Sequence, residues 1–576
     1  MTDTVTTSAR AGSLADLQHE GRLLCKVGSL PVVVVWHEGR ALAIEDRCPH
    51  LGFPLHQGTV EAGLLTCHWH HARFDLVSGC TLDPWADDAH GFDVELAGDD
   101  VIVHARASGD RVERLQQRLR DGLEQGLTLV IAKAVQGLLE ASVPPSEIVR
   151  TGIDFGCTYR AEGWGAGLTT LVAMANVLDR LAPEDQTLAL VHALAFVSRD
   201  TRGRAPRFAI EALRTDALDI DRLSDWYRRF VETRAEDASE RVLATAIDAG
   251  ASLTDVEAFM EAAVTDHVFI DEGHTLDFTN KAFEALGHVG PSEASTVLPT
   301  LVRQTVGAQR SEEFSEWRHP HDLVALVRRA DAALPGATAE GRQHPGEFDD
   351  VAGLGWRLLA DDPEEVVGAL LDAMRAGATP EQVGRALAYA ASLRILRFHV
   401  QNDFGDWNTV HHAFTAANAL HQSLVRAPTP ELMRGLVQGA LRVYLDRFLN
   451  VPAARLPTSQ SGDLAELEEC WEVQGRVDDA GRIAYGYLRA GGSQPELAAA
   501  LGHALLSEDT EFHWFQVYEA SMRQVAAWPE GSDEAALILT GLARFLAAHT
   551  PTRRELPTVV RIAQRLRRGE ALYEES

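Results

Sequence analysis

The sequence predicts a multidomain protein, with a small all-β domain followed by a large all-α domain of about four helical repeats. Three observations predict it. At 576 residues the chain exceeds what one hydrophobic core can organise. Up to residue 106 short apolar runs are broken by polar turns, and beyond that the spacing becomes helical and stays so. The helical part also repeats itself. The expected boundaries are a disordered N-terminus at 1–10, a β domain at 11–106, a linker or first helix at 107–125, the repeat domain at 126–560 and a C-terminal helix or tail at 561–576.

In the first domain, LPVVVVWHEGRALAIEDRC (30–48) gives two apolar runs around His37-Glu38-Gly39-Arg40, the signal of a hairpin. ARFDLVSGCTL and GFDVELAGDDVIVHA supply further short strands, broken at Ser78-Gly79 and Gly98-Asp99-Asp100. A small antiparallel barrel or sandwich is expected.

Set into this scaffold are Cys48-Pro49-His50 and Cys67-His68-Trp69-His70. Thiolates are soft ligands suited to iron or zinc, and imidazoles are borderline. Zinc sites favour C-x2-4-C with H-x3-5-H, whereas each segment here pairs one Cys with one His. That arrangement suits a two-iron cluster with two thiolates on one iron and two imidazoles on the other. The C-x-H-x16-C-x2-H spacing, Leu51-Gly52 and the downstream Arg73-Phe74-Asp75, Ser78-Gly79 and Pro84 resemble the Rieske [2Fe–2S] domain of the ferredoxin and oxygenase type, over residues 11–106. The resemblance implies that Cys48 and Cys67 bind one iron, and His50 and His70 the other. It also marks a departure. Phe53 and Trp69 stand where the Rieske proteins of respiratory complexes carry two bridging cysteines, so packing must hold the loops. His68 and His71 flank the motif and are expected at the surface.

The helical remainder is rich in Ala, Leu, Glu and Arg, all good helix formers. VIAKAVQGLLEASVPPSEIV (130–149) matches VVGALLDAMRAGATPEQV (366–383), and VLATAIDAGASLTDVEAF (242–259) and YGYLRAGGSQPELAAAL (485–501) repeat the same helix, turn and cap. A second helix follows in each unit: TLVAMAN, HTLDFTN, HAFTAAN and HWFQVYE. The same register therefore holds Thr170, His274, His412 and His513. Histidines on facing helices are a means by which bundles build metal sites. His267 joins the set if one helix runs unbroken to His274, which Glu272-Gly273 opposes. His411 and His412 differ by about 100° around a helix, so one of them faces the site. His192, on an apolar helix, is expected to be a hydrogen-bonded core residue. Asn176, Asn280 and Asn418 are expected to pack or cap.

The Asp-x2-His-x4-5-His signature of conventional Rieske oxygenases is missing, and no strand-rich region follows residue 110. Residues 115–555 resemble instead the questin-oxidase-like family of all-helical non-heme iron oxygenases, on HVFIDEGHTLDF and HHAFTAANAL. Thr170 departs from that pattern, and a carboxylated-lysine ligand of the kind the resemblance implies would have to be Lys281 or be missing. The resemblance implies a mononuclear non-heme iron besides the [2Fe–2S] cluster.

The expected function is oxidoreduction. Electrons pass from a ferredoxin-type reductase or other electron donor through the cluster to a second iron at His274, His412, His513 and His267, for O2-dependent oxidation of an apolar small molecule. The alternative is a Rieske electron carrier or redox sensor whose helical domain is a metal-free protein-interaction scaffold. No G-x-G-x-x-G follows a strand, which argues against a built-in Rossmann reductase. A net charge of −31 and pI near 5.1 exclude the basic footprint of a nucleic-acid binder. No apolar run of spanning length occurs, the first twenty residues lack a signal core, and six scattered cysteines make no disulfide scaffold. A cytoplasmic protein is expected. A homo-oligomer fits the intersubunit electron transfer of Rieske oxygenases.

Overall fold

The computed structural model describes residues 8–105, 111–214, 219–570 and 572. Its contacts divide the chain into two compact units, residues 1–144 with 558–576, and residues 145–557.

The first unit is built on nine strands: β1 (Ser8–Ser13), β2 (Arg22–Val27), β3 (Leu30–His37), β4 (Arg40–Glu45), β5 (Thr59–Glu61), β6 (Leu64–Thr66), β7 (Arg73–Asp75), β8 (Gly91–Ala97) and β9 (Asp100–Ala105). Six form an antiparallel sheet in the order β1-β9-β8-β4-β3-β2, and β5-β6-β7 form a second. The expected hairpin is present. His37 pairs with Arg40, and Glu38 and Gly39 both take positive φ, as a turn matched to strand twist requires.

Four consecutive valines in β3 show no alternation because both faces are covered. Val32 and Val34 enter a core with Leu17, Phe92, Val101 and Val103, whereas Val33 and Val35 enter one with Leu55, Leu65, Phe74 and the two motif cysteines. The second core is closed by the small sheet, and its two long connections, β4 to β5 and β6 to β7, carry the Cys/His motifs.

Two expectations are corrected here. Residues 8–10 of the expected disordered terminus lie in β1, paired with β9, while residues 1–7 lie outside the described residues. The β reading also missed the short helix Leu14–Glu20, which Ser13 caps and Gly21 ends in the left-handed region.

The unit boundary falls later than the expected 125/126. The helices Arg111–Gln125 and Thr128–Glu140 group with the β domain, and so does the chain from residue 558. Residues 107–110 of the expected linker and residues 571 and 573–576 of the expected tail are outside the described set.

The second unit is helical, and the expected repeat has physical counterparts. Glu236–Asp248, Pro363–Arg375 and Val477–Arg489 are each followed by a tight turn and a capped helix, with Ser252, Thr379 and Ser493 as the N-caps. The expected second helices are Ala166–Val177, His274–Val289, Trp407–Arg426 and Phe512–Ala526. They pack in a closed ring, the first against the second and fourth, and the third against the second and fourth. Residues at one register of the repeat are thereby brought to one axis. Among the described residues no helix is long and apolar enough to cross a membrane.

Candidate metal centres

The two motif loops have the same backbone design. Cys48 N–H donates to Phe53 O and Gly52 N–H to Cys48 O; Cys67 N–H donates to Ala72 O and His71 N–H to Cys67 O. Gly52 and His71 occupy the matching left-handed position, with φ of +84° and +63°. This folding turns the amides of His50 and Leu51 toward the Cys48 sulfur, and those of Trp69 and His70 toward the Cys67 sulfur. Donors aimed at sulfur favour thiolate, the ligand form.

Both cysteines are buried and interact through their sulfurs, a contact that raises the Cys48 thiol and lowers that of Cys67. On the outer side the His50 and His70 rings meet edge-on with centroids 4.9 Å apart. His70 is exposed and His50 half-buried. Burial, then the charge of Lys133, then His70, lower His50 to about 4, and its Nδ1 is buried with no hydrogen-bond partner. Two sulfurs on the inside, two imidazoles outside and an orphaned ring nitrogen on one of them fit a [2Fe–2S] cluster held by two Cys and two His. Phe53 and Trp69 pack at 5.9 Å, so an aromatic pair ties the loops together. His68 and His71 are exposed, as expected.

In the second unit, His274 opens its helix, His513 is the second residue of its own, and His412 lies in the second turn. One ring nitrogen from each lies within 4.8 Å of those of the other two. His412 Nε2 and His513 Nε2 lie 3.0 Å apart. Glu272 Oε2 sits 3.0 Å from His412 Nδ1. A carboxylate on the far nitrogen of an imidazole is the usual way to orient a metal-binding histidine. Burial first, then neighbouring histidines, lower His274 to about 4 and His513 to about 2, which keeps their lone pairs free. The fourth register position is Thr170, buried, with an unpartnered hydroxyl.

His267 is not in this cluster. Its helix ends at Thr265, and Phe269, Asp271, Glu272 and Gly273 all take positive φ before His274. The expected continuous face is broken there, and His267 instead binds Glu312 (2.9 Å) and Glu232 (3.0 Å) with its two nitrogens. The same break delivers Glu272 to His412. Asp271 and Glu272, non-glycine residues held in the left-handed region, store strain at the site.

Adjacent His411 was expected to face elsewhere, yet its ring lies 4.2 Å from that of His513. It is buried, and neither nitrogen has a partner. His192 is a core residue bonded to Leu506 O at 2.9 Å, as expected.

Below the histidines is a polar layer that the sequence reading did not anticipate. Lys281, 1% exposed, holds Glu284 (2.8 Å) and Glu519 (2.9 Å). Asn176 bonds both of these carboxylates and His288, and Asn280 bonds Glu284 and Arg426. Asn418 bonds Gln524. These asparagines do more than pack or cap, and Lys281 is committed to its own ion pairs. The signal was the position itself, a polar residue at one register of successive apolar helices.

The family model of the Rieske [2Fe–2S] domain matches residues 9–93. Apoptosis-inducing factor 3 of Homo sapiens is 31% identical over 100 residues, 17% of this chain and 16% of that protein. The ferredoxin component of the alkene monooxygenase system of Xanthobacter autotrophicus is 32% identical over 78 residues, 13% of this chain and 64% of that protein. Among solved structures, the ferredoxin of carbazole 1,9a-dioxygenase from Nocardioides aromaticivorans is 25% identical, covering 17% of this chain and 99% of that one with a TM-score of 0.17. The chain thus spans about a sixth of the length of the first curated relatives it matches.

Proposed function

We propose, from the premise that residues 9–93 form a Rieske [2Fe–2S] domain, that the chain carries single electrons from a reductase to a second iron in its helical unit, where an apolar small molecule is oxidised with O2. In this reading Cys48 and Cys67 hold one iron of the cluster, His50 and His70 the other, and His274, His412 and His513 hold the mononuclear iron. When bound, the cluster supplies electrons one at a time and the three-histidine iron supplies O2 chemistry at its open positions.

The chain's own residues set the conditions. The buried thiolates are shielded by the β5-β6-β7 sheet, and exposed His70 gives a donor its approach. In the helical unit, Glu272 fixes the orientation of the His412 ring by accepting from Nδ1, which leaves Nε2 for the metal. Phe278 and Phe512, whose rings lie 5.4 and 5.9 Å from that of His274, offer the apolar surface that an apolar substrate requires.

The observation that carries the second half is the convergence of three histidines from three repeats within 4.8 Å. Iron quantification with electron paramagnetic resonance of the reduced protein tests it. A rhombic signal with average g below 2 establishes the cluster. Three irons per chain, falling to two in the His274→Ala/His412→Ala variant, supports the oxygenase. Two irons in both proteins leaves an electron carrier with a metal-free helical scaffold.

A further inference from the structure

Lys133 is one of three lysines in the chain, and it lies outside the 9–93 match, on the helix Thr128–Glu140. Its side chain is 16% exposed. The ammonium donates to Pro49 O (2.5 Å) and His50 O (2.9 Å), both in the first motif loop, and to Asp87 Oδ2 (3.2 Å). Three acceptors match the three N–H bonds of a charged amine, so nothing is left over for water. Asp87 is held in turn by Arg118, whose guanidinium also donates to Pro84 O and Ala86 O. Two residues of the helical hairpin Arg111–Gln125 and Thr128–Glu140 thus grip the Pro49–His50 backbone and the segment 84–87, whose Trp85 ring packs on His50 at 4.7 Å. The C-terminal helix adds a third contact on the same loop. Leu566 packs against Gly52, and Arg47 donates to Glu570 O.

We propose that Lys133 is a positioning residue for the [2Fe–2S] cluster: its ammonium anchors the Cys48–Phe53 loop in place of a bridging disulfide, and its charge raises the reduction potential of the cluster. One-electron reduction adds a negative charge to the cluster. A fixed cation beside a ligand residue, screened poorly in a largely buried position, stabilises that charge. Asp87 acts with the opposite sign. The inference rests on reading the motif loops as the cluster's holders, and the test separates the two.

The experiment is a spectroscopic redox titration of the full chain and of Lys133→Met and Asp87→Asn. The midpoint of Lys133→Met is expected to fall so that, at fixed potential, the ratio of reduced to oxidised cluster drops at least tenfold, about 59 mV for one electron. That of Asp87→Asn is expected to rise, and Lys133→Arg to stay within threefold of wild type. Opposite shifts in the two neutralised variants are something that simple loosening of the loops does not produce. Potentials that stay put, or move in the same direction, with cluster content unchanged, overturn the proposal. If Lys133→Met loses its cluster, the direction of the Asp87→Asn shift decides. A wild-type protein without the g-below-2 signal overturns the cluster reading itself.

Discussion

The Nε2 atoms of His412 and His513 lie 3.0 Å apart although a hundred residues of chain separate them. Two unprotonated nitrogens at that distance repel, and two protonated ones clash, so without a bound cation one must donate to the other. Glu272 accepts a hydrogen bond from His412 Nδ1–H, which leaves His412 Nε2 as a lone pair facing its neighbour. A divalent cation resolves the contact by accepting both lone pairs.

Glu272→Gln is expected to weaken metal binding in the helical unit by about 10–100-fold, because the amide holds the His412 ring but withdraws the negative charge. Competition titration with a chromophoric chelator measures it. The cluster's visible spectrum is expected to be unchanged. Unaltered metal affinity would show that the carboxylate is a bystander on an exposed loop.

The Phe53 and Trp69 rings hold the two motif loops together, so Trp69→Ala is expected to shorten the lifetime of the cluster in air while the apo-protein keeps its fold. Aromatic pairs of this kind contribute about 0.5–1.5 kcal/mol beyond their buried area. Cluster loss is read from the decay of visible absorbance, and fold from far-UV circular dichroism. Equal decay rates for variant and wild type would mean that Lys133 and the backbone bonds suffice.

Lys281 makes a third test. Replacing it with Met leaves Glu284 and Glu519 buried without their cation, and removal of one partner from a buried pair costs about 3–5 kcal/mol. Adding Glu519→Gln to Lys281→Met is expected to restore a good part of that loss, in chemical unfolding at neutral pH. Strict additivity of the two changes would contradict a shared network.

The parts of the fold that were legible in the sequence are those with local chemistry. The Cys/His spacings, the Glu38-Gly39 turn and the repeated cap before each helix each express a rule that acts over a few residues. The histidine register was legible because repetition converts a sequence position into a spatial one. What failed was decided by distant contacts. Gly273 opposes a continuous helix, but Phe269, Asp271 and Glu272 are not residues whose left-handed conformation a sequence announces, so where the bend sends His267 and Glu272 is not legible locally. Lys133 reads as an ordinary helix residue until the loop at Pro49 is placed against it. The polar role of the asparagines is hidden because most of their partners come from other repeats: Asn176 meets Glu284 and Glu519, Asn280 meets Arg426, and Asn418 meets Gln524.

The last prediction concerns pH. Glu261 is fully buried in the helix Leu253–Thr265, and no hydrogen bond of normal geometry reaches either carboxyl oxygen. Burial first, then the nearby Glu257 charge, raise it from 4.5 to about 8, against the pull of Ser423 and Arg426. A carboxyl whose pKa is raised on folding binds its proton more tightly in the native state. Its contribution to stability is complete below about 4.5 and is lost as pH rises through about 8. Glutamine cannot lose a proton there. Glu261→Gln is therefore expected to match or trail wild type in thermal unfolding at pH 5 and to exceed it at pH 9, by about 1–3 kcal/mol for the burial of an unsatisfied group. The titration of carboxyls away from Glu261 is common to both proteins and cancels in the difference, whereas that of Glu257, whose charge bears on Glu261, does not. If the gap between variant and wild type is the same at both pH values, Glu261 is not protonated in the folded chain, and its carboxylate must have found a cation in the core.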